Sequence, residues 1–587
     1  PALLGLRPMS EDVAPASTPP TRPTGFGFIY WVANWMELVE RFAYYGVRVV
    51  LPVLMVKAVE LGGPEFDHIQ KGTIYAVWAL VQSFVPIFTG GFADRFGYKA
   101  NIAVATVLKI MGYLLMGYCI LLAEWIAGMS LPEARAAGTD ITYELFFAGA
   151  MLLATGTAVF KPGLQGLIAH QMPKGKEAIG WALFYAMVNV GGFFGPLVAG
   201  YMEAMPWLNV FLINTVAICL NFIPLFIFKE PEHHGDDNKD GALAVLMNAF
   251  RGLLEPRLFF FTICFAGFWL MFYQLFDILP NFIDDWVDSR GPASAIIGLV
   301  GESKVPTVNG GNLTQAWMIN ANALLIIFFA FFMGYLTGKV KSLNAIIIGI
   351  GVSAAAIFAF SISADGWWTL AAIGLFSFGE MTASPTKMRY LAGIAPPGKE
   401  GLYMGYVNFT VGIGWSVGSI IAGLLYQRGG DKVVLARRYL VEEKGLDAAT
   451  VDAIPKNDLL PYFEETVGVD PWQTRDILWD AYSPQSMWII FTLIGVASMI
   501  GIFLYNKVVT AASKDDNHGF NLNGHRWVSM ALAPIALAFW GGTIYLRLAE
   551  GQAWSELLAV LVQAVIFSGL FLLSLTMKAP EMIHDDH

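Results

Sequence analysis

The first long apolar segment, 26–56, holds four charged residues: Glu37, Glu40, Arg41 and Arg48. Each charge would cost about 2.5–3.5 kcal/mol at the centre of a lone membrane helix, so none of them is expected to face lipid. Glu37 and Arg41 are four residues apart and meet on one helical face. Arg48 follows Arg41 by about two turns on nearly the same face. The segment therefore predicts a helix that directs carboxylates and guanidinium groups into a polar cavity.

Polar residues also interrupt other apolar segments, in several cases beside a helix breaker. Lys161 precedes Pro162, and Glu380 lies shortly before Pro385. Charges beside breakers are typical of bent helices at a site near the membrane midplane. A carboxylate paired with a cation holds its proton weakly, and separation of the pair makes it bind a proton, so conformation and protonation are linked. This pattern favours a proton-coupled carrier over a purely structural ion-pair cluster. The remaining polar positions in such segments are Asn189, Asp277, Asn320 and Asn322.

Composition excludes several classes of protein. Hydrophobic residues make up 56% of the 587 and charged residues 14%, against about 25% charged in globular proteins. The chain is therefore expected to be an all-α membrane protein that crosses the bilayer many times. A net charge of −10 argues against a nucleic-acid partner. The three cysteines lie in apolar runs, which excludes a disulfide scaffold. We find no nucleophile elbow, phosphate loop or metal-ligand spacing, so we expect no enzyme, no cofactor and no metal site.

Apolar stretches of about 20 residues predict twelve membrane spans and two more near the C-terminus. A Pro/Ser/Thr-rich leader, 1–25, is expected to be disordered. The predicted organisation is six spans in 26–228, a linker 229–256, six spans in 257–506 with an insert 428–484, and two extra helices with a tail, 507–587. The predicted spans are 26–56, 71–92, 100–123, 143–169, 178–201, 207–228, 257–280, 316–337, 342–362, 367–390, 402–426, 485–506, 526–547 and 553–577.

The short loops give an orientation. Lys and Arg concentrate after the even-numbered spans, so both termini are expected in the cytoplasm and the insert outside. Asp470, Pro471 and Gln473 predict a capped helix from Trp472 to Tyr482 within the insert. The two C-terminal spans carry charges only near their ends, so they are expected to face lipid or a protein partner.

Four motifs resemble the proton-coupled oligopeptide transporters of the major facilitator superfamily. Residues 37–46 read ELVERFAYYG and match the ExxERFxYYG signature of that family. Residues 184–191 resemble its FYxxINxG pattern, residues 379–385 its GExxxSP pattern, and Lys161-Pro162 its KP step. Residues 90–99 resemble the superfamily's loop motif after span 2. The motif positions in that loop are Gly90, Asp94, Arg95, Gly97 and Lys99.

The resemblance implies two six-helix bundles that expose a central site alternately to either side, and import of di- and tripeptides driven by protons. It assigns Arg48 and Lys161 to the peptide carboxylate, and Asn189, Asn322 and Glu380 to the amino end. It assigns Tyr44, Tyr45 and Trp269 to side-chain pockets. It assigns proton coupling to Glu37, Glu40 and Arg41 together with Lys161 and Glu380.

One departure from the family pattern affects the gate. The acid usual in span 7 is replaced by Tyr273, and Asp277 follows one turn later. Because a buried Arg48 needs a partner, we expect a gate formed by Arg48 and Asp277.

Two alternative functions remain at this stage. One is a carrier of another small zwitterion or anion, and the other is a non-transporting scaffold subunit of a membrane complex. The expected partners are small peptides, protons and the lipid bilayer, with protein partners through 428–484 and 507–587. The expected location is the plasma membrane, the inner membrane in a bacterium.

Overall fold

The computed structural model describes residues 25–173, 175–202, 205–230, 251–395, 400–512, 524–549 and 554–576. Helices dominate these residues, and the prediction of an all-α fold is confirmed. Nine helical stretches in the described ranges are long and apolar enough to cross a membrane. The full count of fourteen spans stays a prediction. The predicted leader, apart from residue 25, and residues 231–250 of the linker 229–256 lie outside the described ranges.

The N-terminal half packs α1 against α7, and α4 against both α6 and α8. The predicted span 26–56 is interrupted after Arg48, because Pro52 lacks the amide hydrogen that would continue the ladder. The predicted span 207–228 is likewise divided into two helices. The helices are α1 (Phe28–Arg48), α2 (Leu51–Leu54), α3 (His68–Phe96), α4 (Tyr98–Ala127), α5 (Leu131–Ala136), α6 (Thr142–His170), α7 (Glu177–Met202), α8 (Trp207–Cys219) and α9 (Phe222–Ile227).

The C-terminal half packs α15 against α16, and α14 against α16. A short antiparallel pair, β1 (Thr307–Val308) and β2 (Asn312–Leu313), lies between two of its helices. Its first helices are α10 (Pro256–Phe272), α11 (Gln274–Asp277), α12 (Leu279–Trp286), α13 (Arg290–Val300), α14 (Gln315–Gly338), α15 (Ser342–Ala359), α16 (Gly366–Gly393) and α17 (Glu400–Gly429).

The insert is a small helical unit. Its last helix begins at Pro471, where Asp470 accepts hydrogen bonds from the amides of Trp472 and Gln473 at 2.8 and 2.9 Å. The Gln473 side chain accepts from the Asp470 amide at 3.0 Å, so the predicted capping box is confirmed. The insert has its own apolar core of fully buried side chains, namely Leu435, Leu440, Leu459, Phe463 and Leu478. Its helices are α18 (Lys432–Glu442), α19 (Ala448–Asp452), α20 (Lys456–Val467) and α21 (Pro471–Tyr482).

Helix α22 (Met487–Ala512) completes the C-terminal half, and α23 (Gly524–Ala549) and α24 (Trp554–Thr576) form a C-terminal hairpin. Arg547 of α23 is buried and donates a hydrogen bond to the Thr73 hydroxyl of α3 at 2.6 Å. The hairpin also exposes large apolar side chains, among them Ile535, Leu537 and Val565, so the expectation that these helices face lipid or a partner stays a prediction. The hairpin packs against both halves, because one buried cluster joins Trp540 and Val560 to Ala76 of α3 and Ile420 of α17.

Asp285 of α12 joins the C-terminal half to the base of the insert, because its carboxylate accepts a hydrogen bond from the Tyr426 hydroxyl at 2.6 Å. Burial, with the charges of Asp431 and Asp284, raises the pKa of Asp285 to about 7. An unfolded Asp has a pKa of about 3.9. Between about pH 4 and about pH 7 the folded protein therefore binds a proton at Asp285 that the unfolded chain does not bind. The free energy of unfolding falls as pH rises through this range.

We predict that Asp285→Asn raises the unfolding temperature at pH 8 and has a much smaller effect at pH 5. Thermal unfolding of the detergent-solubilised protein at both pH values measures this. Asp288→Asn is the control, because the Arg290 hydrogen bond lowers the pKa of Asp288. Removal of the Asp288 charge should therefore not raise the unfolding temperature at pH 8. An equal shift at both pH values for Asp285→Asn would contradict the assigned cause.

Candidate functional site

A cavity of about 270 Å³ lies between the two halves, with walls from α1, α3, α6 and α7 on one side and α10, α14, α16 and α17 on the other. Nine of the residues to which the resemblance assigns a role line it, although they are spread over more than 330 positions. They are Arg41, Tyr44, Tyr45, Arg48, Lys161, Asn189, Trp269, Asn322 and Glu380.

Helix α1 carries a buried charge network beside this cavity. The Arg41 guanidinium pairs with Glu37 at 3.1 Å, as the four-residue spacing predicts, and also with Glu40. The second oxygen of Glu40 pairs with Lys109 of α4. Glu37 and Glu40 do not line the cavity themselves. Sequence reasoning missed Lys109, although a lone lysine inside the apolar run 100–123 is itself a signal of a buried partner.

Lys161 and Glu380 face the cavity from opposite halves. Lys161 has no carboxylate within 4.0 Å among the described residues, and the charges that act on it are those of Arg41, Glu40 and Glu37. Glu380 accepts a hydrogen bond from Asn322 at 3.0 Å and has no cation within 4.0 Å in the described part of the chain. The cavity therefore presents an unpaired cation on α6 and an unpaired anion on α16.

Arg48 and Asp277 form a buried ion pair that joins the two halves. Arg48 also donates to the Phe276 carbonyl at 3.2 Å. The second oxygen of Asp277 accepts from the Ser419 hydroxyl at 2.6 Å and from the Trp415 indole at 3.1 Å. Helix α17 of the C-terminal half thus holds the carboxylate in place through two hydrogen bonds, which gives a buried pair the geometry it needs to be stable.

Further contacts join the halves at the end of the molecule that carries the insert, called here the insert end. Asn281 donates to the Pro52 carbonyl at 2.8 Å, and Lys71 donates to Asn281 at 2.5 Å. His68 pairs with Asp431 of the insert at 3.0 Å. Gly72 lies so close to α17 that a Cβ there would stand 2.5 Å from the Ser419 carbonyl oxygen. The cavity is closed toward the insert end.

The remaining predicted residues have simpler surroundings. Tyr44 donates to Gln82 at 2.9 Å, and Asn189 donates to the Tyr185 carbonyl at 2.8 Å. Tyr273, which stands where the family's acid was expected, stacks on Trp415 with ring centroids 4.2 Å apart. Pairwise stacking of this kind leaves no trace in the sequence.

The predicted loop motif at 90–99 is mostly helical, which corrects the expectation of a loop. Helix α3 continues through Gly90, Asp94 and Arg95 to Phe96, and the side chains of 90–96 lie outside the described part. The chain leaves helical geometry at Gly97, whose φ of +89° suits only glycine. The amide of Lys99 donates to Glu230 at 3.2 Å, so the turn contacts the end of the N-terminal half.

Many apolar helices and a charged cavity between two helical halves define a multi-pass membrane transporter. The family model of the Major Facilitator Superfamily matches residues 36–301 and 293–437, so the chain belongs to that superfamily. It is not an enzyme family.

Two relatives are similar over most of their lengths. The uncharacterized transporter YclF of Bacillus subtilis is 22% identical over 68% of this chain and 88% of its own. The dipeptide and tripeptide permease A of Proteus mirabilis is 22% identical over 68% of this chain and 86% of its own. The crystal structure of a peptide transporter POT in complex with sulfate superposes with a TM-score of 0.55, at 17% identity, over 84% of this chain and 97% of that one. This last likeness shows the shared fold.

The pair Arg48–Asp277 leads to a prediction about closure of the insert end. Asp277→Asn leaves Arg48 buried without an ionic partner, which is strongly unfavourable, so the two halves should separate there more often. Spin labels at Leu61 and Leu299, two exposed positions on opposite halves, should report a longer distance population by double electron–electron resonance.

A matched control is Asp140→Asn, because the pair of Asp140 with Arg135 lies wholly within the N-terminal half. This variant should keep the original distance distribution. The same distribution in Asp277→Asn would show that the pair does not hold the insert end closed.

Proposed function

We propose that the protein is a proton-driven symporter that imports di- and tripeptides by alternating access. The observation that carries the proposal is the pair of unpaired charges facing one cavity, a cation on Lys161 and an anion on Glu380. A peptide is a zwitterion with a carboxylate at one end and an ammonium group at the other. Bound across the cavity, it would satisfy both charges and join the two halves.

The charges around the cavity support this orientation of the substrate. Glu37 and Glu40 contribute two negative charges, and Arg41, Lys109 and Lys161 contribute three positive ones. Apart from Arg48, which pairs with Asp277, this cluster therefore holds one excess positive charge in a poorly solvated site, and an anionic group from the substrate removes that imbalance. On the opposite wall, Glu380 and the side-chain oxygen of Asn322 can accept hydrogen bonds from an ammonium group.

The size of the cavity favours short peptides. Its volume of about 270 Å³ is slightly below the usual range of ligand pockets, about 300–1,000 Å³. Tyr44, Tyr45 and Trp269 add aromatic surface for peptide side chains, and Asn189 adds a polar group. A compact zwitterion that is not a peptide could satisfy the same two charges, so transport of such a molecule is the second candidate function.

The gate and the proton site act together in this proposal. In the closed state Asp277 engages Arg48, and opening of the insert end releases Arg48 toward the substrate carboxylate. Movement of α1 relative to α4 and α6 takes Glu37 and Glu40 away from Lys109 and Lys161, while Arg41 stays beside them on α1. The weaker attraction then allows a carboxylate to take up a proton. By the distribution of Lys and Arg in short loops, the insert end is external and the termini are cytoplasmic. The structure then corresponds to a state closed to the outside of the plasma membrane.

The proton role of Glu37 gives a direct test. We predict that Glu37→Gln abolishes accumulation of labelled dialanine in liposomes with an alkaline interior, while exchange of peptide for peptide continues, because only proton coupling needs a titrating carboxylate. Glu133→Gln, a change at an exposed helix cap, is the control and should transport normally. Accumulation against the gradient by Glu37→Gln would exclude this coupling site.

The zwitterion site gives a second test. We predict that C-terminally amidated dialanine and N-acetylated dialanine each bind at least tenfold more weakly than dialanine, because loss of a hydrogen bond to a charged group costs about 1.5–3 kcal/mol. Competition against labelled dialanine measures the affinities. A non-peptide amino acid with well-separated charges is included in the same assay. Preferential uptake of that molecule would support the second candidate, and no uptake of any of them would support a scaffold role.

A further inference from the structure

We propose that Lys109 is a positioning residue that neutralises Glu40 and thereby keeps Lys161 free to bind the substrate's carboxylate. This inference deepens the proposed function and rests on it for the identity of the substrate. It concerns a lysine that lies outside every motif of the sequence and outside the wall of the cavity.

Lys109 is built into the interior of the N-terminal half. Only 1% of its surface is exposed, and its ammonium group pairs with a fully buried Glu40. The same ammonium lies 4.2 Å from the ring centroid of Phe160, the residue before Lys161 on α6. Glu40 is therefore the one carboxylate that Lys109 contacts in the described residues, and Lys109 reaches it from α4 while it packs against Phe160 of α6, the helix that carries Lys161.

The packing of α4 on α6 makes room for this arrangement. A Cβ on Gly156 would lie 2.7 Å from the Lys109 Cγ atom and 2.9 Å from the Ala105 carbonyl oxygen. A side chain at 156 would push the two helices apart and move the lysine stem. The glycine thus permits the close approach that lets Lys109 reach Glu40.

Two lysines compete for the same carboxylate. The charge of Glu40 acts on Lys161 as well as on Lys109, but only Lys109 is within ion-pair distance of it. With Arg41 on its other oxygen, Glu40 has both oxygens engaged by cations. Loss of Lys109 would leave one oxygen free, and Lys161 is the next lysine available to it. Lys161 would then turn from the cavity toward Glu40.

The state of Lys161 can be read without any substrate. We expect Lys109→Met to lower acetylation of Lys161 by acetic anhydride at least fivefold, because an ion-paired ammonium is a poor nucleophile. Mass spectrometry of the detergent-solubilised full chain gives the extent, with the exposed Lys176 as internal reference. The double variant Lys109→Met/Glu40→Gln should return the acetylation of Lys161 to within twofold of the original. Unchanged acetylation of Lys161 in Lys109→Met overturns the proposal.

Two more variants separate this role from general loosening of the fold. Thr106→Val, one turn earlier on α4, removes a hydrogen bond to the Ile102 carbonyl and changes no charge, so Lys161 should acetylate as in the original protein. Lys109→Gln keeps a polar side chain of similar size and replaces Lys109→Met in the acetylation experiment if the Met variant does not fold. It should show the same fivefold drop, and full acetylation would again overturn the proposal.

Transport measurements complete the test. Lys109→Met should raise the KM for dialanine at least tenfold and leave the affinity for amidated dialanine unchanged, so that discrimination between acid and amide disappears. If the original protein binds dialanine and amidated dialanine equally well, the proposed peptide site is wrong. The acetylation of Lys161 then still decides the role of Lys109. Equal losses for acid and amide, with unchanged acetylation, would show a structural role only.

Discussion

The structure depends on one constraint, which is that a charge inside the apolar interior needs an opposite charge or a polar partner. Helix α1 carries four charges and could not lie in a bilayer alone. Arg41 is held by Glu37 and Glu40, Glu40 by Lys109, and Arg48 by Asp277. These pairs fix how α1 faces α4 and how it meets the C-terminal half. Lys161 and Glu380, which have no ionic partner within 4.0 Å in the described part of the chain, face the central cavity.

The two kinds of ion pair serve different parts of the fold. The pairs of Glu40 with Arg41 and Lys109 lie within the N-terminal half, so separation of the two halves does not by itself break them, and the Lys109 contact changes only when α1 moves relative to α4. The pair of Arg48 and Asp277 joins the halves, so any opening at the insert end must break it. A transporter needs both kinds, since rigid halves preserve the site and a separable contact lets the site change sides. Asp277 is well suited to the second task, because Ser419 and Trp415 continue to satisfy one of its oxygens when Arg48 leaves.

Local spacing and the cost of buried charge allowed much of the site to be predicted from the sequence. The contact of Glu37 with Arg41 follows from helix geometry. The contact of Arg48 with Asp277, across 229 positions, follows from the need of a buried guanidinium for an acid and from the scarcity of acids in that span. The partner of Lys109 does not follow from the sequence, because only the packing of α4 in the folded protein places it beside Glu40. The helical path of 90–96 and the stacking of Tyr273 on Trp415 are likewise decided by tertiary contacts, which local residue preferences do not report.

The C-terminal hairpin has a consequence for the surrounding lipid. Its buried residues touch α3 of one half and α17 of the other, so the hairpin cannot stay fixed to both when these helices part. Separation would replace a protein contact at Trp540 and Val560 with acyl chains. The work of that exchange depends on how tightly the lipids pack, which varies with chain length, unsaturation and temperature. Membrane composition would then enter the equilibrium between the two states of the carrier, through a pair of helices that hold none of its substrate groups.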